Sequence, residues 1–236
     1  MKRVLTVAAV SAAALAAQVG VAQATNECRG LNPCVPVAGP WVVVPIGHSV
    51  PRPQVEYQLA CPRGYIVGGI DSELTDQAID LAFLGKSGSP VNPGVTTSRT
   101  IVFAATYVGA SASTASFRPH IGCIRAAGGG GRRTPTSVSA VVPPGAPTVW
   151  RVRNVRIGAG TSRTIAQSCA SGERLVAAYH AFGFYTAKPP TADLIAGLRG
   201  TQRVSGDRVV VSAQGGSGLR GVRAVVQVAA VCAGGK

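Results

Sequence analysis

Val149-Trp150-Arg151-Val152-Arg153-Asn154 alternates apolar and polar residues. A period of two marks a β-strand with one face against a core. Trp150 and Val152 fall on one side of it, Arg151 and Arg153 on the other. The expectation is one buried and one solvated face, as in an antiparallel sheet. Outward from this stretch, Trp150 opens a segment that Cys232 closes, and Trp41 opens one that Cys123 closes. Both differences, 232 − 150 and 123 − 41, equal 82. A shift of 109 also carries Ile66-Val67 onto Leu175-Val176, Gly68-Gly69 onto Ala177-Ala178, and Arg99 onto Arg208. Internal repetition of this kind predicts two copies of one module.

Short Val/Ile/Thr runs between Gly, Pro and Ser clusters predict strands at 41–44, 55–60, 65–70, 100–108 and 116–124. In the second half they fall at 149–157, 163–168, 174–181, 203–213 and 221–231. Residues 72–84 and 191–198 are ambiguous, and each has room for a short helix. The expected fold is all-β, with two tandem antiparallel β-sandwich-like modules, each closed by a disulfide.

The ends and the middle divide the chain further. Lys2 and Arg3, an apolar stretch from Val4, and Ala22-Gln23-Ala24 read as a signal peptide over residues 1–24. Residues 25–40 form an N-terminal disulfide-loop segment and 41–127 the first module. Residues 128–148 are a Gly/Pro-rich linker with a further strand candidate at 137–142, and 149–236 are the second module. The expected location is secreted or extracytoplasmic, with no transmembrane segment after cleavage.

All six cysteines lie in the exported part, which argues for disulfides. Six cysteines allow fifteen pairings. Equivalence of the modules selects Cys61 with Cys123 and Cys169 with Cys232, leaving Cys28 for Cys34. No C-x-x-C is present and the three histidines lack ligand spacing, so no metal site is expected.

Charge is placed unevenly. Residues 25–125 carry seven Lys/Arg against six Asp/Glu, and residues 126–236 carry fourteen against three. A basic module attracts anionic partners through its long-range field. The candidate anion-binding set is Arg151, Arg153, Arg203, Arg208, Arg220 and Arg223. The partner in view is an anionic polymer of the cell envelope, and nucleic acid suits an exported protein less. The competing reading is that a GC-rich genome supplies arginine without selection for a ligand.

Other motifs are sparse. Ser87 and Ser217 sit in Gly/Ser loops that lack the G-x-S-x-G pattern. There is no phosphate loop or dinucleotide fingerprint, and no cofactor is expected. Asp71, Glu73, Asp76 and Asp80 form an acidic cluster without EF-hand spacing. In the second module this region becomes Tyr179-His180-Ala181-Phe182-Gly183-Phe184-Tyr185. Phe184 and Tyr185 are the candidates for an aromatic contact surface, because Gly183 and Pro189-Pro190 place them near a loop.

Cys61-Pro62-Arg63-Gly64-Tyr65-Ile66-Val67-Gly68-Gly69, closing at Cys123, carries a resemblance, as does the stretch from Cys169 to Val176, closing at Cys232. Both resemble the C-P-x-G-x-x-V-x-G-G…C modules of uncharacterised secreted proteins of high-GC bacteria, over roughly residues 41–125 and 149–233. The second stretch departs from the pattern, with Ala170 for proline and Ala177-Ala178 for the glycine pair. The resemblance implies an extracytoplasmic β module held by a disulfide, and it carries over no catalytic residue and no known ligand. Three function classes follow. The leading one is a secreted, non-enzymatic binding or envelope-associated protein. The others are an exported hydrolase assembled from distant residues such as His180, Asp193 and a serine, and a purely structural surface protein.

Overall fold

A computed structural model describes residues 25–31, 33–84, 99–110, 114–126 and 148–234. The expected signal peptide, the linker strand at 137–142 and the loop around Ser87 lie outside them. The first half supplies β1 (Val35–Ala38), β2 (Trp41–Val43), β3 (Gln54–Ala60), β4 (Tyr65–Leu74), β5 (Ile79–Leu84), β6 (Thr100–Tyr107) and β7 (Ser116–Arg125). The second supplies β8 (Val149–Ile157), β9 (Ser162–Ser168), β10 (Glu173–Tyr185), α1 (Ala192–Ala196), β11 (Leu198–Ser205), β12 (Arg208–Gly215) and β13 (Arg223–Gly234). The fold is all-β, antiparallel in every pairing.

One large sheet runs through both halves in the order β4-β7-β2-β10-β13-β8, with β1 and β2 sharing one edge of β7. β2 stitches the halves together. Its Val42 pairs with Phe117 of β7 on one side and with Gly183 of β10 on the other. Two small sheets, β3-β6-β5 and β11-β12-β9, complete the layers. Successive residues of a strand point to opposite faces. Val42 joins the core under the first small sheet, with Tyr57, Phe103, Phe117 and Ile121. Val43 packs on the core under the second, with Ile165, Phe184, Val209 and Val226. Ala181 and Phe182 of β10 divide in the same way. The small sheets therefore cover opposite faces of the large one, giving a sandwich-like body.

All three expected disulfides form: Cys28–Cys34, Cys61–Cys123 and Cys169–Cys232. Cys61 follows β3 and Cys169 follows β9, so each long bridge ties a small sheet to a buried cysteine of the large sheet.

The strand pairings recur along the chain, with one adjustment to the expected offset. Ala60 pairs with Thr100, and Ser168 with Arg208, a shift of 108 in both members. The Cys61 N–H donates to the Arg99 carbonyl, and the Cys169 N–H donates to that of Asp207. The counterpart of Arg99 is thus Asp207, not Arg208. The ladder bulge between Val67 and Gly69 recurs between Leu175 and Ala177. The offset becomes 109 only in the last strand, where Cys123 answers to Cys232.

Three local expectations change. The run at 203–213 is a hairpin, not one strand. Ser205 pairs with Arg208 across the two-residue turn Gly206-Asp207, where Gly206 has φ +56°. No helix forms at 72–84. β4 continues to Leu74, Asp76 accepts the Ala78 N–H at 2.8 Å, and β5 follows. At 191–198 a short helix does form, with Thr191 accepting the Leu194 N–H as its N-cap.

The glycine pair of the first half has a steric cause. The N-terminal disulfide loop lies over β4 and β7, with Glu27 buried beneath it. A Cβ on Gly69 or Gly122 would collide with the Glu27 carbonyl oxygen. In the second half alanine occupies position 177, the counterpart of Gly69. Gly122→Ala is therefore expected to displace the loop at a cost of about 1–3 kcal/mol. Limited trypsin cleavage at Arg29 should accelerate in the variant. Unchanged cleavage and unchanged thermal midpoint would contradict this packing.

Candidate functional site

The outer face of the β11-β12-β9 sheet is set by its inner face. Val209, Val211, Ala213 and Ile165 are buried on the core side. Their neighbours along the strands must point outward. Cross-strand register then places the outer residues in rows: Ser168-Arg208-Ser205, Ala166-Val210-Arg203, Thr164-Ser212-Thr201 and Ser162-Gln214-Arg199. Arg203 and Arg208 are diagonal neighbours, with Cβ atoms roughly 7–8 Å apart by sheet geometry. Arg199 lies four residues along β11 from Arg203, about 13 Å away. All three are exposed, and no ion pair engages them among the described residues. None of the outward residues in these rows is acidic. Asp207, in the hairpin turn, spends its carboxylate on the Leu175 N–H at 3.1 Å.

Of the six arginines marked in the sequence, only Arg203 and Arg208 share this face, joined by the unmarked Arg199. The other four are placed elsewhere. Arg151 and Arg153 do oppose Trp150 and Val152, and Arg153 is exposed as expected, whereas Arg151 is half-buried. They point to the same side as Val155 and Ile157, toward the second core. Arg151 is held there by Glu173 through a bidentate pair at 2.7 and 2.6 Å. That guanidinium, helped by the Ala170 N–H, brings the Glu173 carboxyl down to about 2. Arg223 lies 4.1 Å over the Tyr185 ring, and Arg220 sits in the turn before β13.

The aromatic expectation also needs correction. Phe184 is fully buried in the second core, so it offers no contact surface. Tyr185 is partly exposed but is covered by Arg223 and hydrogen-bonded to Tyr57, whose phenol is pushed up chiefly by burial. The sequence drew attention to the right strand and the wrong end of it. A groove of about 320 Å³ opens between the β2–β3 connection, with Pro45 and Pro53, the start of β3 at Gln54, and the middle of β10, with Tyr179, His180 and Phe182. Gln202 reaches in from β11. Its amide nitrogen donates to the Ala178 carbonyl at 3.1 Å. Its oxygen therefore accepts from His180 Nδ1 at 2.8 Å.

Beside this groove the two halves meet through buried polar groups. Glu56 of β3 is 4% exposed and accepts from Gln54 Nε2 at 3.2 Å, from Trp150 Nε1 at 2.8 Å and from Tyr179. Burial is the largest influence on its carboxyl and raises its pKa despite these donors. A raised folded-state value means the contribution of Glu56 to stability is full below the ordinary carboxylate range. It is lost as pH rises through the raised value. The thermal midpoint of Glu56→Gln relative to wild type is thus expected to climb as pH rises above the ordinary carboxylate range. A difference that stays flat over that rise would contradict the assignment. Next to Glu56, Gln227 of β13 closes the free edge of β3. It accepts the Gln58 N–H at 2.6 Å and donates to the Gln58 carbonyl at 3.0 Å.

The acidic cluster separates into individual pairings. Asp71 takes the Asn26 and Ser72 N–H groups, Glu73 pairs with His120 at 2.8 Å and Arg118 at 3.7 Å, and Asp76 takes the Tyr107 hydroxyl. Cys169, Glu173 and Cys232 lie close together, but disulfide sulfurs carry no thiolate for a metal. Among the described residues no hydrogen bond links His180, Asp193 and a serine. His180 bonds an amide, Asp193 is exposed on α1, and no serine hydroxyl bonds a histidine among the described residues. No helix among them is long and apolar enough to cross a membrane. Comparison of the chain with family models, with curated proteins and with solved structures finds no match.

Proposed function

We propose that the protein is a secreted, non-enzymatic binding protein of the cell envelope. In this reading it holds an anionic polymer on the outer face of the β11-β12-β9 sheet. The observation that carries the reading is the arrangement of Arg199, Arg203 and Arg208. They project from one sheet face among serine and threonine hydroxyls, with no carboxylate in the rows to neutralise them. Guanidinium groups grip phosphate and carboxylate bidentately, and hydroxyls add neutral hydrogen bonds. A β-sheet holds them at fixed spacing, which suits a ligand whose charges repeat. Three disulfides and the leader-like N-terminus support an oxidising, extracytoplasmic setting.

The test is retention on immobilised anionic cell-wall polymer at about 20 mM and about 150 mM salt. Wild type should be retained at low salt and released at high salt. Arg203→Ala/Arg208→Ala should be released at low salt, whereas Arg220→Ala should behave as wild type. Equal retention of the double variant and wild type would remove this face as the site.

A further inference from the structure

We propose that the Ala24–Thr25 bond is a processing site whose cleavage tightens the N-terminal loop, because the new Thr25 ammonium serves as the counter-charge of Asp71. The proposal rests on reading residues 1–24 as a leader that ends in Ala22-Gln23-Ala24. Just beyond that point the chain is already held. The Asn26 N–H donates to Asp71 Oδ2 at 2.6 Å, Glu27 is buried, and Cys28 is bridged to Cys34. Successive backbone nitrogens lie no more than about 3.7 Å apart, which follows from the bond lengths between them. The Thr25 nitrogen is therefore within about 6 Å of that Asp71 oxygen.

The surroundings call for a cation. Asp71, Glu73 and Glu27 gather where the loop crosses β4 and β7. Glu73 has His120 at 2.8 Å and Arg118 at 3.7 Å. Glu27 is 6% exposed and faces His120 Nδ1 only at 3.9 Å, and its Oε2 has no hydrogen-bond partner among the described residues. Asp71 accepts two backbone N–H groups and pairs with no cation among those residues. A buried carboxylate short of partners is costly. Cleavage changes the charge at this spot. A leader peptidase adds water across the Ala24–Thr25 amide and the C–N bond breaks. Ala24 leaves as a carboxylate, and its proton passes through solvent to the Thr25 amine. A neutral amide with one N–H becomes an ammonium with three. Opposite charges within about 6 Å favour each other's charged form, and the anchored loop keeps the terminus in place.

The experiment has two stages. The intact mass of the exported protein should correspond to a chain that begins at Thr25. A mass that begins elsewhere would overturn the proposal at the leader, and would leave the arginine face untouched. The mature chain is then compared with a copy acetylated at the Thr25 nitrogen, which removes the terminal charge. The readout is the rate of limited trypsin cleavage at Arg29, an exposed residue of the loop. Acetylation should speed cleavage by about threefold at low salt, and by less at about 1 M salt. In Asp71→Asn the same acetylation should change the rate by less than about 1.5-fold. Equal cleavage of the free and acetylated chains would overturn the pairing. An equal acceleration in Asp71→Asn would overturn it as well, since the acetyl group would then act by its bulk.

Discussion

Removing either long disulfide is expected to lower stability by about 4 kcal/mol, the largest single loss in the molecule. Cys61–Cys123 and Cys169–Cys232 span 62 and 63 residues. By the loop-entropy relation, a closed loop of that length is worth roughly 4 kcal/mol, and the six-residue Cys28–Cys34 loop about 2 kcal/mol. The two long bridges should also cost alike, because each joins a small sheet to the large one at the same place in the topology. Cys61→Ala/Cys123→Ala and Cys169→Ala/Cys232→Ala avoid a stray thiol that would reshuffle. Denaturant unfolding of both, beside wild type and Cys28→Ala/Cys34→Ala, measures the order. A short loop that matters as much as the long ones would contradict this account of the bridges.

Gln227→Leu should cost about 3 kcal/mol, a large effect for one uncharged side chain. Gln227 is 1% exposed. It satisfies both backbone groups of Gln58 and also donates to Asn154 Oδ1 at 2.9 Å. Leucine keeps most of the volume but strands the Gln58 N–H and C=O, at about 1–3 kcal/mol for each buried group. Asn154→Ala removes only an exposed partner and should cost under about 1 kcal/mol. Since Gln227 joins β13 to β3, its loss should also separate the unfolding of the two halves. Matching losses in the two variants would show that Gln227 is not the clasp.

The parts of the fold that were legible in the sequence are those with a local signature. Alternation at Trp150-Arg151-Val152-Arg153 gave a strand, the repeated Cys-bounded segments gave the disulfides although Trp150 answers in register to Pro36 rather than Trp41, and residues 191–198 left room for the short helix. Alternation alone does not say which side is wet, however. β8 is the last strand of the large sheet, so Arg151 and Arg153 lie on the side of the second core and still reach solvent, and Arg151 reaches Glu173. The Gly206-Asp207 turn hid inside an otherwise strand-like run. Residues 72–84 were ambiguous with room for a short helix, and the pairing of β4 with β7 carries the strand through to Leu74 instead.

The candidate sites were harder to read because they depend on register across strands. Nothing local distinguishes Arg203 and Arg208, which share an open face, from Arg223, which lies on Tyr185. Arg199 follows the short helix and was passed over, yet the pairing of β11 with β12 brings it onto the same face. The sequence signal was available in the alternation Arg199-Gly200-Thr201-Gln202-Arg203, whose odd positions are all polar. The groove left a partial trace in the aromatic run of β10. Its other wall comes from Pro45 and Pro53, more than a hundred residues earlier, and only the shared sheet brings them together.

The arginine face is tested most directly by how its affinity responds to salt. Binding of the soluble anionic polymer should be titrated across a series of salt concentrations, for wild type and for Arg199→Ala/Arg203→Ala/Arg208→Ala. Each contact between an arginine and a polymer charge releases condensed counterion, so log K falls linearly with log salt. Wild type should show a steep slope, and the triple variant a slope shallower by about 2–3, with weaker binding throughout. Parallel slopes, or an affinity that ignores salt, would contradict an anion-binding role for this face.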